Sequence, residues 1–300
     1  MRRAPSFGSV ATLSRTMSAP SPRPVNDAEL NAAIADLPAV SAVMQRILAV
    51  LADPHSDLTD IGRLIRSETA LSAQVVRMAN SAFYGLPEPV GSIEEAIQRL
   101  GFSEVNRLVG TLSSLQLFQR PFAKIGLTPD GLWQHALAVA VSAETVSGYI
   151  RIDRGTAYLA GILHPVGLLA LDRIAATRQL SARGADEKLL DWEQRHFGCD
   201  NAVVAARVLR AWKFPDTLAA TVAGRYVPAA SGDQIRAASM LHIASCLAEK
   251  LGAGLAPEKG IFLPAADRIA AAGLQLDEFG EAEIEAGQNL QRTRAMLKLA

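Results

Sequence analysis

The sequence predicts an all-α fold, and three observations support this prediction. Apolar residues recur at helical spacing along most of the chain after about residue 27. Strict alternation of apolar and polar residues, which is typical of half-buried strands, persists nowhere. Ser, Asp, Gly and Pro occur at positions where helices commonly begin and end. With 300 residues and 49% hydrophobic content, the chain can bury a substantial core, which we expect to be arranged in two helical lobes.

The first lobe is expected over residues 28–122. Asp27 is the predicted N-cap of its first helix, Ser92 with Glu95 predicts a capping box, and Gly101 predicts a helix end at positive φ. Apolar stripes predict helices over residues 27–36, 39–51, from Asp57 onward, 69–80, 92–100 and 103–118.

The residues before this lobe differ in composition. Residues 1–26 contain Arg, Ser and Pro but no acidic residue. We expect a disordered leader, because such a segment cannot bury enough apolar surface to offset its ordering entropy. An organellar transit peptide is the alternative, although the amphipathic stripe typical of one is missing. Met17 is an alternative start.

The second lobe is expected over residues 128–252, after a hinge at residues 121–129. Its most distinctive stretch runs from Thr156 to Leu171 and is apolar on every side, as in a helix at the centre of a core. Proline disfavours the helical conformation of the residue before it. We therefore expect a helix that ends near His164, a tight turn at Val166-Gly167, and a second segment from about Leu168.

The rest of the chain also predicts helices. A C-terminal helical extension is expected over residues 253–300, where an acidic stretch precedes a basic one. We expect its last helix to pack back on its own domain, with antiparallel pairing to a second copy as the alternative; the sequence does not fix the oligomeric state. The other helices are predicted over residues 129–149, 186–197, 201–212, from Pro215, 233–251, 264–273 and 281–298.

Charge and composition narrow the possible function. The net charge is zero, with 30 basic and 30 acidic residues, so no overall field favours nucleic acid or an anionic membrane. Arg207–Arg210 is interpreted as a solvated helix face. Cys199 and Cys246 have no metal-ligand spacing and are expected to be buried reduced thiols in a cytoplasmic protein. No apolar run in the sequence reaches the roughly 18 residues needed to span a membrane.

The five histidines carry the possible chemistry. His135, His164 and His242 are predicted on three helices of the second lobe, where they can converge on a metal; His55 and His196 complete the set. The alternative is that each is a neutral core histidine with a backbone hydrogen bond. The residue after His164 is Pro165, which cannot bind a metal.

Several stretches resemble one family. These are LPAVSAVMQRILAVLADP (37–54), SDLTDIGRLIRSETALSAQVVRMANSAFYG (56–85), PVGSIEEAIQRLGFSEVNRLV (89–109), WQHALAVAV (133–141) and AYLAGILHPVGLLAL (157–171). Together they are similar to the HD-related output domain, or HDOD, proteins of bacterial signalling. The resemblance implies an HDOD domain over residues 37–230 whose second lobe is HD-like.

The resemblance also implies a degenerate metal site. His135 matches the first metal-binding histidine of active HD enzymes, and His164 matches the histidine of the His-Asp doublet. Pro165 and Ser245 stand where two metal-binding aspartates are expected, and Asn201 stands where related sequences have a histidine. This implies a non-catalytic protein with no metal and no cofactor. The alternative is a metal-dependent phosphohydrolase that acts on a nucleotide through His135, His164 and His242.

A signature segment carries the most distinctive part of the resemblance; it comprises Asn80, Ser81, Phe83, Tyr84 and Gly85. It is interpreted either as a structural turn between the lobes or as part of an inter-lobe binding site. The expected function is a binding module that recognises a signalling protein in trans, and a nucleotide ligand without turnover is also considered. Neither a nucleic-acid nor a membrane partner is expected.

Overall fold

The computed structural model describes residues 23–37, 64–81, 84–119 and 121–299, and these ranges contain helices and no β-strand. The all-α prediction is confirmed. Residues 1–22 of the predicted leader, the helix predicted over residues 39–51, the first part of the helix predicted from Asp57 (up to residue 63), His55 and Phe83 fall outside the described residues. The last leader residues, 23–26, are described, and Val25 N–H donates to the Phe197 carbonyl oxygen at 3.2 Å, so this end of the leader is packed on the protein. The described helices before the connector are α1 (Asp27–Ala35), α2 (Thr69–Ala79), α3 (Ile93–Leu100) and α4 (Phe102–Leu117). Of these, α1 packs against the helix Val166–Thr177, which follows the connector.

The second lobe follows a short connector and extends to the end of the chain. Its helices are α5 (Pro129–Ser147), α6 (Arg154–Leu163), α7 (Val166–Thr177), α8 (Leu189–Phe197), α9 (Asn201–Ala211), α10 (Asp216–Ala223), α11 (Ile235–Ala248), α12 (Ala266–Ala272) and α13 (Leu276–Leu299).

Side-chain caps fix several helix ends close to the predicted positions. Asn26 rather than Asp27 caps α1, and it forms a capping box with Glu29. Ser92 caps α3 by accepting a hydrogen bond from the backbone N–H of Glu95. The Glu95 carboxylate accepts from Gly91 N–H at 2.6 Å, so the box predicted from Ser92 and Glu95 is displaced by one residue.

The break between α6 and α7 is sharper than predicted. α6 ends at Leu163, His164 is its C-cap, and α7 begins at Val166. The turn predicted at Val166-Gly167 is therefore wrong, because Pro165 starts the next helix directly. Proline is tolerated at a helix start, where its missing N–H would have no intrahelical acceptor.

Close packing of α5 and α6 forms the centre of the second lobe. Gly161 of α6 lies so near α5 that a Cβ there would come within 2.4 Å of the Ala140 Cα atom. Helix α5 also packs against α11 and α13. Because α5 is covered by three helices, most of its side chains are buried.

The stretch Arg154–Thr177 has the length and apolar composition of a membrane-spanning helix, contrary to the expectation from the sequence. The helix break at His164 and Pro165 divides it, and 83% of the most apolar window is buried inside the protein. Most of this stretch is therefore part of the core of the second lobe.

The C-terminal helix α13 packs along α5. Asn289 donates to the Thr145 hydroxyl at 3.1 Å, and Arg294 donates to the Gln134 carboxamide at 3.0 Å. Tyr149 donates to the Glu285 carboxylate at 3.0 Å. These contacts confirm the expectation that the last helix folds back on its own domain.

The connector between the lobes is fixed to α7 by Asp172. Its carboxylate accepts hydrogen bonds from the backbone N–H groups of Lys124 and Ile125 at 2.7 and 3.0 Å. The middle of the predicted hinge, residues 121–129, is thus attached to the second lobe.

Candidate functional site

Two histidines meet in the core of the second lobe. His135 lies on α5, and His164 caps the C-terminal end of α6. Their Nε2 atoms are 3.2 Å apart, and their rings meet edge to face. Both residues are only 1% exposed. Two of the three histidines considered as metal ligands are thus in contact.

Both rings also bind the backbone through Nδ1. His135 Nδ1 lies 2.8 Å from the Ala253 carbonyl oxygen, and His164 Nδ1 lies 2.6 Å from the Gly161 carbonyl oxygen. Because a carbonyl oxygen only accepts hydrogen bonds, we assign the proton of each neutral ring to Nδ1. The two Nε2 atoms then face each other with lone pairs, which creates an electron-rich point in the core.

Burial keeps both imidazoles neutral. It lowers the pKa of His135 to about 4, although the nearby Glu258 carboxylate opposes this shift. Burial also lowers the pKa of His164 well below its usual range, and the positive charge of Arg225 lowers it further. At neutral pH the pair is therefore uncharged.

A buried ion pair lies beside the histidines. Arg225 Nη2 is 2.5 Å from Glu258 Oε1, and the two residues are 1% and 2% exposed. The other carboxylate oxygen, Oε2, lies 3.9 Å from His135 Nε2. The oxygen of the pair that faces His135 is thus the one that Arg225 does not bind, while the guanidinium supplies a buried positive charge beside Oε1.

Aromatic rings surround the desolvated guanidinium. The Arg225 Cζ atom lies 4.5 Å from the centroid of Tyr226 and 4.8 Å from that of Phe262. Such cation–π contacts offset part of the cost of removing a charge from water. The Nε and Nη1 atoms of Arg225 have no hydrogen-bond partner among the described residues, so the guanidinium relies on Glu258, the Tyr226 hydroxyl and the two rings.

The ion pair continues into a buried polar chain. The Tyr226 hydroxyl donates to Glu258 and accepts from the Asn201 carboxamide at 2.8 Å. Asn201 also donates to the Glu193 carboxylate at 3.0 Å. Burial raises the pKa of Glu193 well above its usual range, opposed by hydrogen bonds from Asn201. Asn201 is therefore a structural link at a position where related sequences were expected to have a histidine.

A divalent metal does not fit this core. Pro165 offers no ligand atom, and the Ser245 hydroxyl donates to the Leu241 carbonyl oxygen at 2.9 Å. The Glu258 carboxylate beside His135 is paired with Arg225 through Oε1, and its Oε2, although without a hydrogen-bond partner in the described part of the chain, lies 3.9 Å from His135 Nε2. Among the described residues, no group of three or more His, Cys, Asp or Glu is arranged to hold a metal ion.

Two further histidines among the described residues, His242 and His196, do not contact this pair. His242 Nδ1 is 3.0 Å from the Arg225 carbonyl oxygen, and its ring meets Phe262 edge-on with centroids 5.2 Å apart. His242 therefore supports the backbone of Arg225. His196 packs against Trp192 on α8.

Sequence reasoning missed the ion pair. Glu258 falls in the segment predicted as a C-terminal extension, outside the predicted second lobe that contains Arg225. No local spacing relates the two residues, because they are 33 positions apart in the chain.

The described residues of the signature segment make two sets of contacts, one with the connector that follows the segment and one with helices α4 and α13. The Asn80 side chain accepts from Val90 N–H at 2.7 Å and donates to the Val90 carbonyl oxygen at 2.8 Å, which fixes the following connector. Asn80 itself has φ −85°, whereas Gly85 has φ +55°. Tyr84 donates to Glu104 and lies 3.2 Å from Met296 Sδ of α13.

Helical packing around two facing histidines defines a protein of the HD-like class. The profile of the HDOD domain matches residues 37–228, which is more than half of the chain. The chain belongs to the HDOD family.

Solved structures share this fold. The chain is 26% identical to a candidate phosphohydrolase from Shewanella amazonensis SB2B, with a TM-score of 0.63, covering 90% of this chain and 98% of that one. It is 21% identical to an HDOD domain protein with unknown function from Geobacter sulfurreducens, with a TM-score of 0.66, covering 91% of this chain and 98% of that one.

A longer relative is also similar. An uncharacterized protein of Treponema pallidum (strain Nichols) is 23% identical over 208 residues, which are 63% of this chain. The matched region spans only 37% of the Treponema protein's length.

Proposed function

We propose that this HDOD protein is a non-catalytic regulatory module of bacterial signal transduction, which acts by binding a partner or a ligand. The single observation that carries the proposal is the buried pair of Arg225 and Glu258 beside the two histidines. In HD enzymes, according to the resemblance, carboxylates and histidines hold a metal. Here a guanidinium supplies the positive charge and binds one oxygen of the carboxylate that lies beside His135.

Burial of the site supports the same proposal. Metal-assisted hydrolysis requires a metal that holds both water and substrate. His135, His164, Arg225 and Glu258 are each 1–2% exposed, so a substrate has no access to them in this conformation. The retained histidines then serve as core residues, each fixed by a backbone carbonyl.

The test compares the wild-type protein with Arg225→Met in metal binding. Both are purified without a metal-binding tag, freed of metal with a chelator, and titrated with Zn²⁺ and Mn²⁺ while the melting temperature is recorded. The wild type is expected to show no shift. Arg225→Met leaves His135, His164 and the freed Glu258 carboxylate as possible ligands, so Zn²⁺ is expected to raise its melting temperature.

Hydrolysis is measured on the same samples with a nucleoside monophosphate and with p-nitrophenyl phosphate. No product is expected from the wild type. Stoichiometric metal in the wild type, together with product formation that is lost in His164→Ala, would overturn the proposal in favour of a phosphohydrolase.

A further inference from the structure

A polar cavity of about 490 Å³ lies between the two lobes under the C-terminal helix. We call it the inter-lobe cavity, and neither His135 nor His164 lines it. Its lining comes from α3 and α4, from α5 and α6, from α13, and from the signature segment. The lining residues are Tyr84, Leu100, Glu104, Arg107, Val141, Glu144, Arg154, Asn289, Arg292 and Thr293.

The cavity carries an excess of positive charge. Arg107 is neutralised by Glu104, whose Oε2 atom lies 3.0 Å from Arg107 Nε. Arg154 and Arg292 are exposed and have no ion-pair partner among the described residues. The remaining acid is Glu144, and burial raises the pKa of its carboxyl group, which favours the neutral form. Three arginines and two glutamates therefore line the cavity, and neither Arg154 nor Arg292 forms an ion pair with either glutamate.

The polar side of the cavity is held in place by side chains from both lobes. Arg107 Nη1 donates to the Thr293 hydroxyl of α13 at 2.9 Å, while its Nε binds Glu104. Tyr84 donates to the same Glu104 carboxylate. This fixed frame connects the signature segment to the C-terminal helix around the two unpaired arginines.

The other wall is apolar. Leu100 and Val141 line it, and the cavity volume is well above that of a bare inorganic anion. Ligand sites of roughly 300–1,000 Å³ typically combine such apolar walls with a few polar groups that fix orientation. A ligand that satisfies both sides has an anionic end and a larger apolar or planar body.

We propose that the inter-lobe cavity binds a small organic phosphate, with Arg154 and Arg292 on the phosphate and Leu100 and Val141 against the organic body. Guanidinium groups bind phosphate oxygens through paired, charge-assisted hydrogen bonds. The inference deepens the proposed binding function and rests on it. It also gives the signature segment a role, because Tyr84 and Glu104 position the frame of the site.

The experiment measures binding of AMP, GMP and inorganic pyrophosphate to the full chain by calorimetry and thermal shift, with adenosine as the probe without phosphate. AMP or GMP is expected to bind and raise the melting temperature, while adenosine does not. Arg154→Ala and Arg292→Ala are each expected to weaken binding by about tenfold or more.

Arg294→Ala is the matched control. It lies on the same helix as Arg292, but its guanidinium donates to Gln134 outside the cavity, so binding is expected to stay at the wild-type level. No binding of any phosphate probe, equal binding by Arg154→Ala and Arg292→Ala, or equal weakening by Arg294→Ala would each overturn the cavity assignment. Hydrolysis of a bound probe would instead contradict the non-catalytic function and leave the cavity assignment standing.

Discussion

Arg225 and Glu258 form an ion pair that is almost fully removed from solvent, and the guanidinium carbon lies within 4.8 Å of the ring centroids of both Tyr226 and Phe262. A charge in such a place is tolerated only while its partner remains, because the uncompensated charge costs far more to bury than the pair. Loss of either partner should therefore destabilise the protein. The pairing of Glu258 with Arg225 is also one of the reasons why a metal does not fit this core.

The first prediction concerns this pair. Arg225→Met is expected to lower the free energy of unfolding by about 3–5 kcal/mol, because it leaves the Glu258 carboxylate buried and alone. The double variant with Glu258→Leu should regain most of the loss, because no charge is then left without a partner. Chemical denaturation of the two single variants and the double variant measures the coupling.

The control for this cycle is an exposed ion pair. Arg173 and Asp36 lie 2.6 Å apart, with side chains 52% and 53% exposed. Arg173→Ala should cost less than about 1 kcal/mol, since water screens the pair. Equal losses in Arg173→Ala and Arg225→Met would contradict the importance assigned to the buried pair.

The second prediction concerns the loss of folding stability at acidic pH. The pKa values of His135 and His164 are lowered in the folded protein, so the unfolded chain binds protons first as the pH falls. Their contribution to stability is full above about pH 6.5, the usual histidine pKa, and is lost as the pH falls toward 4, the folded-state pKa of His135.

Each buried histidine should contribute a slope of about 1.4 kcal/mol per pH unit within this window. Denaturation at a series of pH values between 7 and about 4.5 should therefore show a steep loss of stability. His135→Gln should reduce the slope, even if it lowers stability at pH 7. A slope that is unchanged in this variant would show that other groups govern the acid sensitivity.

The third prediction concerns Glu193, whose pKa is shifted in the opposite direction to those of the two histidines. Burial raises the folded-state pKa of this carboxyl group, so its contribution is full below the unfolded pKa and is lost as the pH rises through the folded one. Glu193→Gln removes the ionisable group and retains hydrogen-bonding atoms toward Asn201. The stability of the variant relative to wild type should therefore increase with pH from about 5 to 8.

Paired denaturation curves at both ends of this range measure the effect of Glu193→Gln. As a control, Glu88→Gln changes an exposed acid whose side chain is 80% accessible and should show no such trend. A relative stability of Glu193→Gln that falls with pH would contradict the assigned direction of the pKa shift.

The fourth prediction concerns the closest helix contact. Gly161→Ala places a methyl group within 2.4 Å of the Ala140 Cα atom, so α5 and α6 must move apart. A loss of about 1–3 kcal/mol or more is expected in denaturation experiments. Gly280→Ala on α13 is the matched control, because nothing lies within 4 Å of its added carbon. It should leave stability unchanged or raise it by up to about 1 kcal/mol, since alanine is the better helix former.

Local signals predicted much of this fold because they act over a few residues. The conformational limits of Pro165 and the positive φ of Gly101 and Gly198 place helix ends within a residue or two of the expected positions. The start of α7 was misplaced because proline both ends one helix and begins the next. The sequence alone does not show how many residues separate the end of the first helix from the start of the second.

The core of the site was less predictable. His135 and His164 were identified through the family resemblance and lie in contact. The Arg225–Glu258 pair has no local pattern, because it depends on how the segment after α11, with its 3-10 turn at Ala256–Glu258, returns to the core. Similarly, the inter-lobe cavity assembles residues from three parts of the chain, so only packing reveals that Arg154 and Arg292 share it.

The position of Glu258 has a consequence for biosynthesis. It lies beyond residue 228, where the family match ends, yet its carboxylate neutralises a guanidinium inside the domain. A ribosome releases Arg225 first, and 33 further residues must leave the exit tunnel before the counter-charge arrives. We expect this lobe to remain incompletely folded on the ribosome until then, so that arrested nascent chains ending at residue 228 are cleaved by protease more readily than chains that have exposed residue 258.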